Sequence, residues 1–360
     1  MPGGRGAPVA RTLLGVQALR AVAALLVVAY HAVDAWRLRV AGGTSTLDWP
    51  NGSAGVDIFF VVSGLVMVLS SERLRGRGGA ARIFLRQRFE RVLPLYWIAT
   101  ALKLCTVAAA PTLALHTRLA WGYVASSFLL LPVRDASGAF RPVLPVGWTL
   151  SFEMLFYALF ALALALRVPA WRFLTPALGA LALASFARTA AWPAAWLLAD
   201  AIAFEFVLGV WIGALTLRGH VAATGAAGLL LAGGFAVLLL APSGPAQMRV
   251  LAWGVPAMAI VAGTVGLERI LAPRLPRWVL DLGDASYAIY LTHGFVLPAV
   301  AIAVARAGIG IGAASLAATV AAGLVASGLV GVAVHRAVER PVLALLRQKR
   351  PAVAATGVTG

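Results

Sequence analysis

The chain has 360 residues, of which 61% are hydrophobic and 12% charged, with a mean hydropathy of +0.90. That balance excludes an ordinary soluble domain, and apolar runs of about 20 residues recurring along the chain define a polytopic membrane protein embedded in a lipid bilayer. A net charge of +17 would point to nucleic acid in a soluble protein, but here the arginines cluster between apolar runs, so no nucleic-acid partner is expected.

Taken in chain order, residues 1–12 are short and basic, and the first apolar run is long enough to be retained, so no cleavable signal peptide is expected. Apolar runs punctuated by Pro, Gly and charge place spans near 13–34, 54–71, 91–110, 147–166, 173–191, 197–217, 221–241, 249–267, 286–306 and 312–334. The expected fold is therefore an all-α bundle of about ten transmembrane helices, with one membrane domain over 13–340 and tails at 1–12 and 341–360. The run at 120–132 is only 13 residues long and reads as a re-entrant or interfacial piece. Leaving it out places the N-terminus, the loop carrying Arg73, Arg75, Arg77, Arg82, Arg86 and Arg88, the arginine-bearing turns that follow and the C-terminal tail all on the cytoplasmic side. Counting it as a span reverses that bias. The outside segment 111–146 carries His116, Arg118, Arg134, Asp135 and Arg141, and either lines a substrate entrance or is a plain surface loop. No internal repeat of the inverted-transporter kind is visible, and the last ten residues read as disordered.

Four groups of polar residues interrupt the apolar runs. Arg20 and His31 lie eleven residues apart in the first span. At 100° per residue they share one helix face, separated by about 16 Å along the axis. A charged side chain at a bilayer centre costs roughly 2.5–3.5 kcal/mol. Arg20 either snorkels to the headgroups or serves as a fixed cation, and His31 is either a bonded core histidine or a titratable base. Arg88 and Arg91 abut the third span, where they either anchor it by charge or bind a phosphorylated group bidentately. Glu153 is buried in the fourth run, with Thr149 and Tyr157 one turn away on either side. It either orients a histidine and stabilises its imidazolium or pairs structurally with an arginine. Asp57, at the head of a run where Ser63-Gly64 marks a close helix crossing, and His293, beyond Tyr287 and Tyr290, are secondary candidates, as is Tyr157. Lys103 with Asp200 or Glu205 reads as a structural ion pair. The single cysteine, Cys105, offers neither an intramolecular disulfide nor a thiolate metal site, and no zinc-type, serine-elbow or phosphate-loop motif is present, so no metal is expected.

The motifs "QALRAVAALLVVAYH", "GVDIFFVVSGLVM", "RFERVLPLYW", "VGWTLSFEMLFY" and "LGDASYAIYLTH", in that order over roughly residues 13 to 340, resemble the membrane-bound acyltransferase family 3, and within it the exopolysaccharide acetyltransferase branch. The family pattern of an arginine, ten residues and a histidine falls on Arg20 and His31, and its arginines before Pro-x-Tyr-Trp fall on Arg88 and Arg91. The resemblance implies an enzyme that takes an acyl group, usually acetyl, from cytoplasmic acetyl-coenzyme A as co-substrate, with no permanently bound cofactor. The acceptor implied is a sugar hydroxyl of a cell-surface or exported polysaccharide, or of its lipid-linked precursor. Arg20, Arg88 and Arg91 are then expected to bind the donor. His31 either deprotonates the attacking hydroxyl or takes the acyl group itself, and Glu153 is expected to support it. Glu153 and His293 also match recurring family positions. Some members carry an added hydrolase-like domain, which is not expected here, and Asp284 stands where many relatives place another polar residue. The rival from another class is a transporter or flippase for an anionic or lipid-linked substrate, using the same arginine and histidine as a path.

Overall fold

The computed structural model describes residues 13–109, 120–189, 191–240 and 246–348; His116, Arg118 and the final ten residues lie outside them. Among the described residues all repeating structure is helical, beside one isolated bridge between Arg134 and Phe140. The helices are α1 (Leu14–Arg39), α2 (Gly55–Ser71), α3 (Ala80–Ala109), α4 (Trp121–Phe128), α5 (Gly147–Ala165), α6 (Ala170–Ala184), α7 (Glu205–Leu217), α8 (Thr224–Leu240), α9 (Val255–Gly266), α10 (Glu268–Leu271), α11 (Arg277–Asp284), α12 (Ser286–Arg306), α13 (Ala313–Val334) and α14 (Arg340–Gln348).

Among the described residues each apolar run of the sequence falls on an α-helix, joined in some runs by a 3-10 or π turn such as Ala201–Phe204 before α7, and their lengths differ. Among the described residues, seven helices are long and apolar enough to cross a membrane, and an eighth qualifies if α9 and the helical stretch after it, bent by 59°, form one span. The stretches Ala201–Leu217 and Thr224–Leu240 are shorter. Helix α4, at eight residues and about 12 Å, is too short to cross.

Contacts at the helix ends fix the arrangement. At one end, the Leu14 and Gly15 N–H groups that open α1 donate to the Glu268 carboxylate at 2.6 and 2.9 Å, so a negative charge supplied by another helix satisfies the free donors of an N-terminus. Arg88 donates to Ser70 at 3.1 Å and the Tyr287 hydroxyl to the Val92 carbonyl at 2.8 Å, at the same end. At the other, Trp36 donates to Ser315 at 3.0 Å, Asn51 to the Leu238 carbonyl at 3.1 Å, and Arg188 to Asp200 at 2.9 Å. Successive long helices therefore alternate in direction. The two faces are referred to below as the Arg20 end and the His31 end.

Small residues permit the tight crossings. A Cβ at Gly64 would collide with the Phe206 carbonyl, and one at Gly209 with the Val61 carbonyl, so α2 and α7 touch backbone to backbone at the Ser63-Gly64 step, as expected. Such contact replaces hydrophobic driving force in lipid by dispersion, which needs close approach. Against this seam Phe60 and Phe156 stack on Phe206 at 4.3 and 4.4 Å between ring centres. The stack braces α5 against α2 and so sets the depth of Glu153, one turn from Phe156.

Candidate functional site

A cavity of about 140 Å³ opens toward the Arg20 end, lined by Arg20, Ser63, Arg88, Arg91, Glu153 and Tyr157 among others. Four helices supply these polar residues, so the chamber exists only once α1, α2, α3 and α5 have packed. Arg88 is held by its bond to Ser70 and by the Phe84 ring one turn earlier, 5.5 Å from the guanidinium. Arg91 lies 4.0 Å from Glu339, a buried carboxylate that also contacts His335 Nδ1 at 2.7 Å. Arg20 makes no hydrogen bond and no ion pair among the described residues, which leaves its donors free for a ligand. Glu153 accepts a short hydrogen bond from Tyr157 and a longer one, 3.5 Å, from Ser63. Three guanidiniums around one carboxylate give a net positive chamber in low-dielectric surroundings, suited to a phosphorylated or polarised ligand.

A second cavity of about 560 Å³ opens toward the His31 end and is lined by Tyr30, His31, Asp34, Lys103, Tyr123 and Trp148 among others. Val56 and Tyr290 line both cavities, so the two meet at this pair. Tyr290 is held there by its hydroxyl, 2.9 Å from Thr149 Oγ1 and 3.2 Å from the Val146 carbonyl.

His31 has a histidine for a neighbour. His31 Nδ1 lies 3.0 Å from the Val27 carbonyl and 3.2 Å from His293 Nε2, and His293 Nδ1 lies 3.2 Å from the Ile289 carbonyl. A carbonyl only accepts, so in the neutral pair each Nδ1 carries the hydrogen. His293 Nε2 then offers its lone pair to His31 Nδ1–H, and the lone pair of His31 stands on Nε2. This chain of bonds fixes the tautomer that a proton acceptor requires.

The structure thus brings Arg20, Arg88, Arg91, Glu153 and Tyr157 to one chamber and His31 to the other, with His293 bonded behind His31. The expectation that Glu153 supports His31 directly is corrected: its hydrogen bonds go to Tyr157 and Ser63, because α5 turns it toward the arginines. Asp57 is fully buried in a bidentate pair with Arg249, at 3.0 and 2.7 Å. It ties the segment before α9 to the head of α2 and lines neither chamber. Lys103 is not paired with Asp200 or Glu205, since Asp200 is taken by Arg188 while Lys103 lines the His31 cavity. Sequence reasoning missed Arg249, an arginine at the foot of an apolar run whose only signal was the unpaired Asp57. It also missed Trp148, which lines the His31 cavity from within the motif that carries Glu153. Part of the segment 111–146, read either as an entrance lining or as a plain surface loop, lines the His31 cavity through Phe140, Arg141 and Pro142. Their loop is closed by Asp135, which accepts from Ser137, Ala139 and Arg141.

The described helices thus form a bundle with a cationic chamber toward one end and a chamber holding His31 toward the other. The acyltransferase domain of family 3 matches residues 13–335, and the chain belongs to that family. It is 36% identical over 320 residues to the exopolysaccharide production protein ExoZ of Rhizobium meliloti (strain 1021), covering 86% of this chain and 94% of that relative. No solved structure matches the chain. The protein is a membrane acyltransferase.

Proposed function

We propose that this acyltransferase moves an acetyl group from acetyl-coenzyme A, entering at a cytoplasmic Arg20 end, to a sugar hydroxyl presented at the His31 end. The acceptor is an exported polysaccharide or its lipid-linked precursor, as the exopolysaccharide role in the name of the relative suggests. The observation behind this reading is the meeting of the arginine and histidine cavities at Val56 and Tyr290. A thioester held by Arg20, Arg88 and Arg91 points its acyl carbon at the junction. His31 Nε2 takes the proton of the attacking hydroxyl as the sugar oxygen bonds to the carbonyl carbon. The carbon–sulfur bond then breaks and the proton passes to the leaving thiolate, giving an ester and free thiol. Base catalysis of this kind is typically worth roughly 100- to 10,000-fold. Detergent-purified protein given acetyl-coenzyme A and the glycan of its host should form base-labile glycan acetate with one thiol released per ester. Thiol release without any glycan ester would sink the acceptor assignment.

The orientation proposed is ten crossings of an inner membrane with both termini cytoplasmic. Arginines crowd the Arg20 end, where Arg75, Arg86 and Arg336 are paired but Arg73, Arg77, Arg82, Arg340 and Arg347 make no ion pair among the described residues, whereas at the other end Arg37, Arg141, Arg188 and Arg249 each sit on a carboxylate, at 3.2, 3.1, 2.9 and 2.7 Å. The two shorter helical stretches, about 25 Å each, fit a span with local thinning. In a Cys105→Ala background, a membrane-impermeant thiol reagent should label a cysteine at Ser137 and not one at Gly78. The reverse pattern inverts the protein.

A further inference from the structure

We propose that a cavity beside α14 is the subsite for the phosphorylated nucleotide end of the acyl donor, an assignment that rests on the thioester reading above. This cavity, about 230 Å³, is lined by Arg91, Asp284, His335, Arg340, Leu343 and Arg347, with Ala344. Arg91 also lines the arginine chamber, so the two spaces adjoin through one side chain.

Helix α14 presents Arg340, Leu343, Ala344 and Arg347 to the cavity, at spacings of three, four and seven residues that fall on one face. In an ordinary amphipathic helix such a stripe is apolar throughout. Here its two ends are guanidiniums and only its middle is apolar, so anionic groups can bond at either end of the cavity wall. Neither Arg340 nor Arg347 makes an ion pair among the described residues, whereas Arg336, just before α14, is 3.0 Å from Asp281. The chain reaches α14 through a π-helical turn, His335–Glu339, a device that rotates whatever follows it. That turn buries Glu339 between His335 and Arg91 and sends Arg340 outward. His335, 8% exposed and lining the cavity, keeps a buried Nε2 with no hydrogen-bond partner. Asp284 supplies an acceptor for an amine or hydroxyl.

A thioester donor whose handle carries a diphosphate and a ribose phosphate matches this chemistry, with the handle on Arg340 and Arg347 and a narrow arm passing Arg91 into the chamber. A lipid headgroup shares the phosphate chemistry but has no such arm.

The test uses the full-length protein in nanodiscs of phosphatidylcholine, with or without phosphatidylglycerol, and equilibrium binding of coenzyme A and its 3′-dephospho form. The parent should bind coenzyme A about tenfold more tightly than the dephospho form, the weight of one charge-assisted phosphate contact. In the Arg340→Gln, Arg347→Gln double variant that preference should vanish, and Arg-to-Lys changes should keep part of it. A preference unchanged in the double variant overturns the subsite, as does an effect of the arginines seen only with phosphatidylglycerol. If the parent binds neither form, the thioester reading itself fails. Should the double variant not fold, an Ala344→Cys probe in a Cys105→Ala background gives an independent reading. Coenzyme A should protect it from alkylation and phosphatidylglycerol should not; the opposite result assigns the cavity to lipid.

Discussion

His31→Ala should stop acyl transfer while leaving the donor bound. The histidine lines the outer cavity and none of the arginine chamber, so its removal takes away the proton acceptor and leaves the cationic anchor intact. Single-turnover transfer to glycan should fall by roughly 100- to 10,000-fold, the usual value of a positioned base. Binding of a non-hydrolysable acetyl-coenzyme A analogue, measured on the same folded preparation, should stay within about twofold of the parent. His293 adds a graded control. Its Nε2 faces His31 Nδ1 at 3.2 Å, so its expected role is to position His31. His293→Gln keeps an acceptor near that place and His293→Leu does not, so transfer should fall further in the leucine variant. Normal transfer by His31→Ala refutes the base, and equal losses in the two His293 variants refute the positioning role.

The sequence carried the helices because lipid leaves the backbone no other choice: each apolar run must satisfy its own N–H and C=O groups. It carried the Arg20–His31 geometry for the same reason, since both lie on one uninterrupted helix whose pitch is known. It did not carry partners between helices. Whether Glu153 meets His31 or Arg88 depends on the rotation of α5 against α2, and that rotation is set by the Phe156–Phe206 stack and the Gly64–Gly209 crossing, contacts spread over about 150 positions of chain. His293 shows the same limit, 262 residues from His31 in sequence and within hydrogen-bond reach in space. The C-terminal arginines were legible only as charge, because the π-turn that aims Arg340 leaves no mark in composition.

Arg20→Ala and Glu153→Gln should then fail in opposite ways, although both residues line one chamber. Arg20 makes no hydrogen bond and no ion pair among the described residues, so its guanidinium can bond the donor, and a charge-assisted contact of this kind contributes about 1.5–3 kcal/mol. Its loss should weaken donor binding by about tenfold to somewhat over a hundredfold. Transfer at saturating donor should recover in part. Glu153 is the acidic residue among those lining the chamber, beside Arg20, Arg88 and Arg91. Glutamine keeps an oxygen for the Tyr157 hydroxyl while removing the negative charge, so the chamber becomes more positive and an anionic donor should bind at least as tightly as before. Turnover should nevertheless fall sharply, because the carboxylate that balances the guanidiniums no longer sets their positions around the thioester. Thermal stability of both variants should stay close to the parent, as neither change opens a void in the packed seam. A Glu153→Gln protein that loses donor binding as severely as Arg20→Ala would make the carboxylate an organiser of the binding site alone. One that vanishes from the membrane would make it a structural counter-charge, and either result would remove Glu153 from the catalytic step.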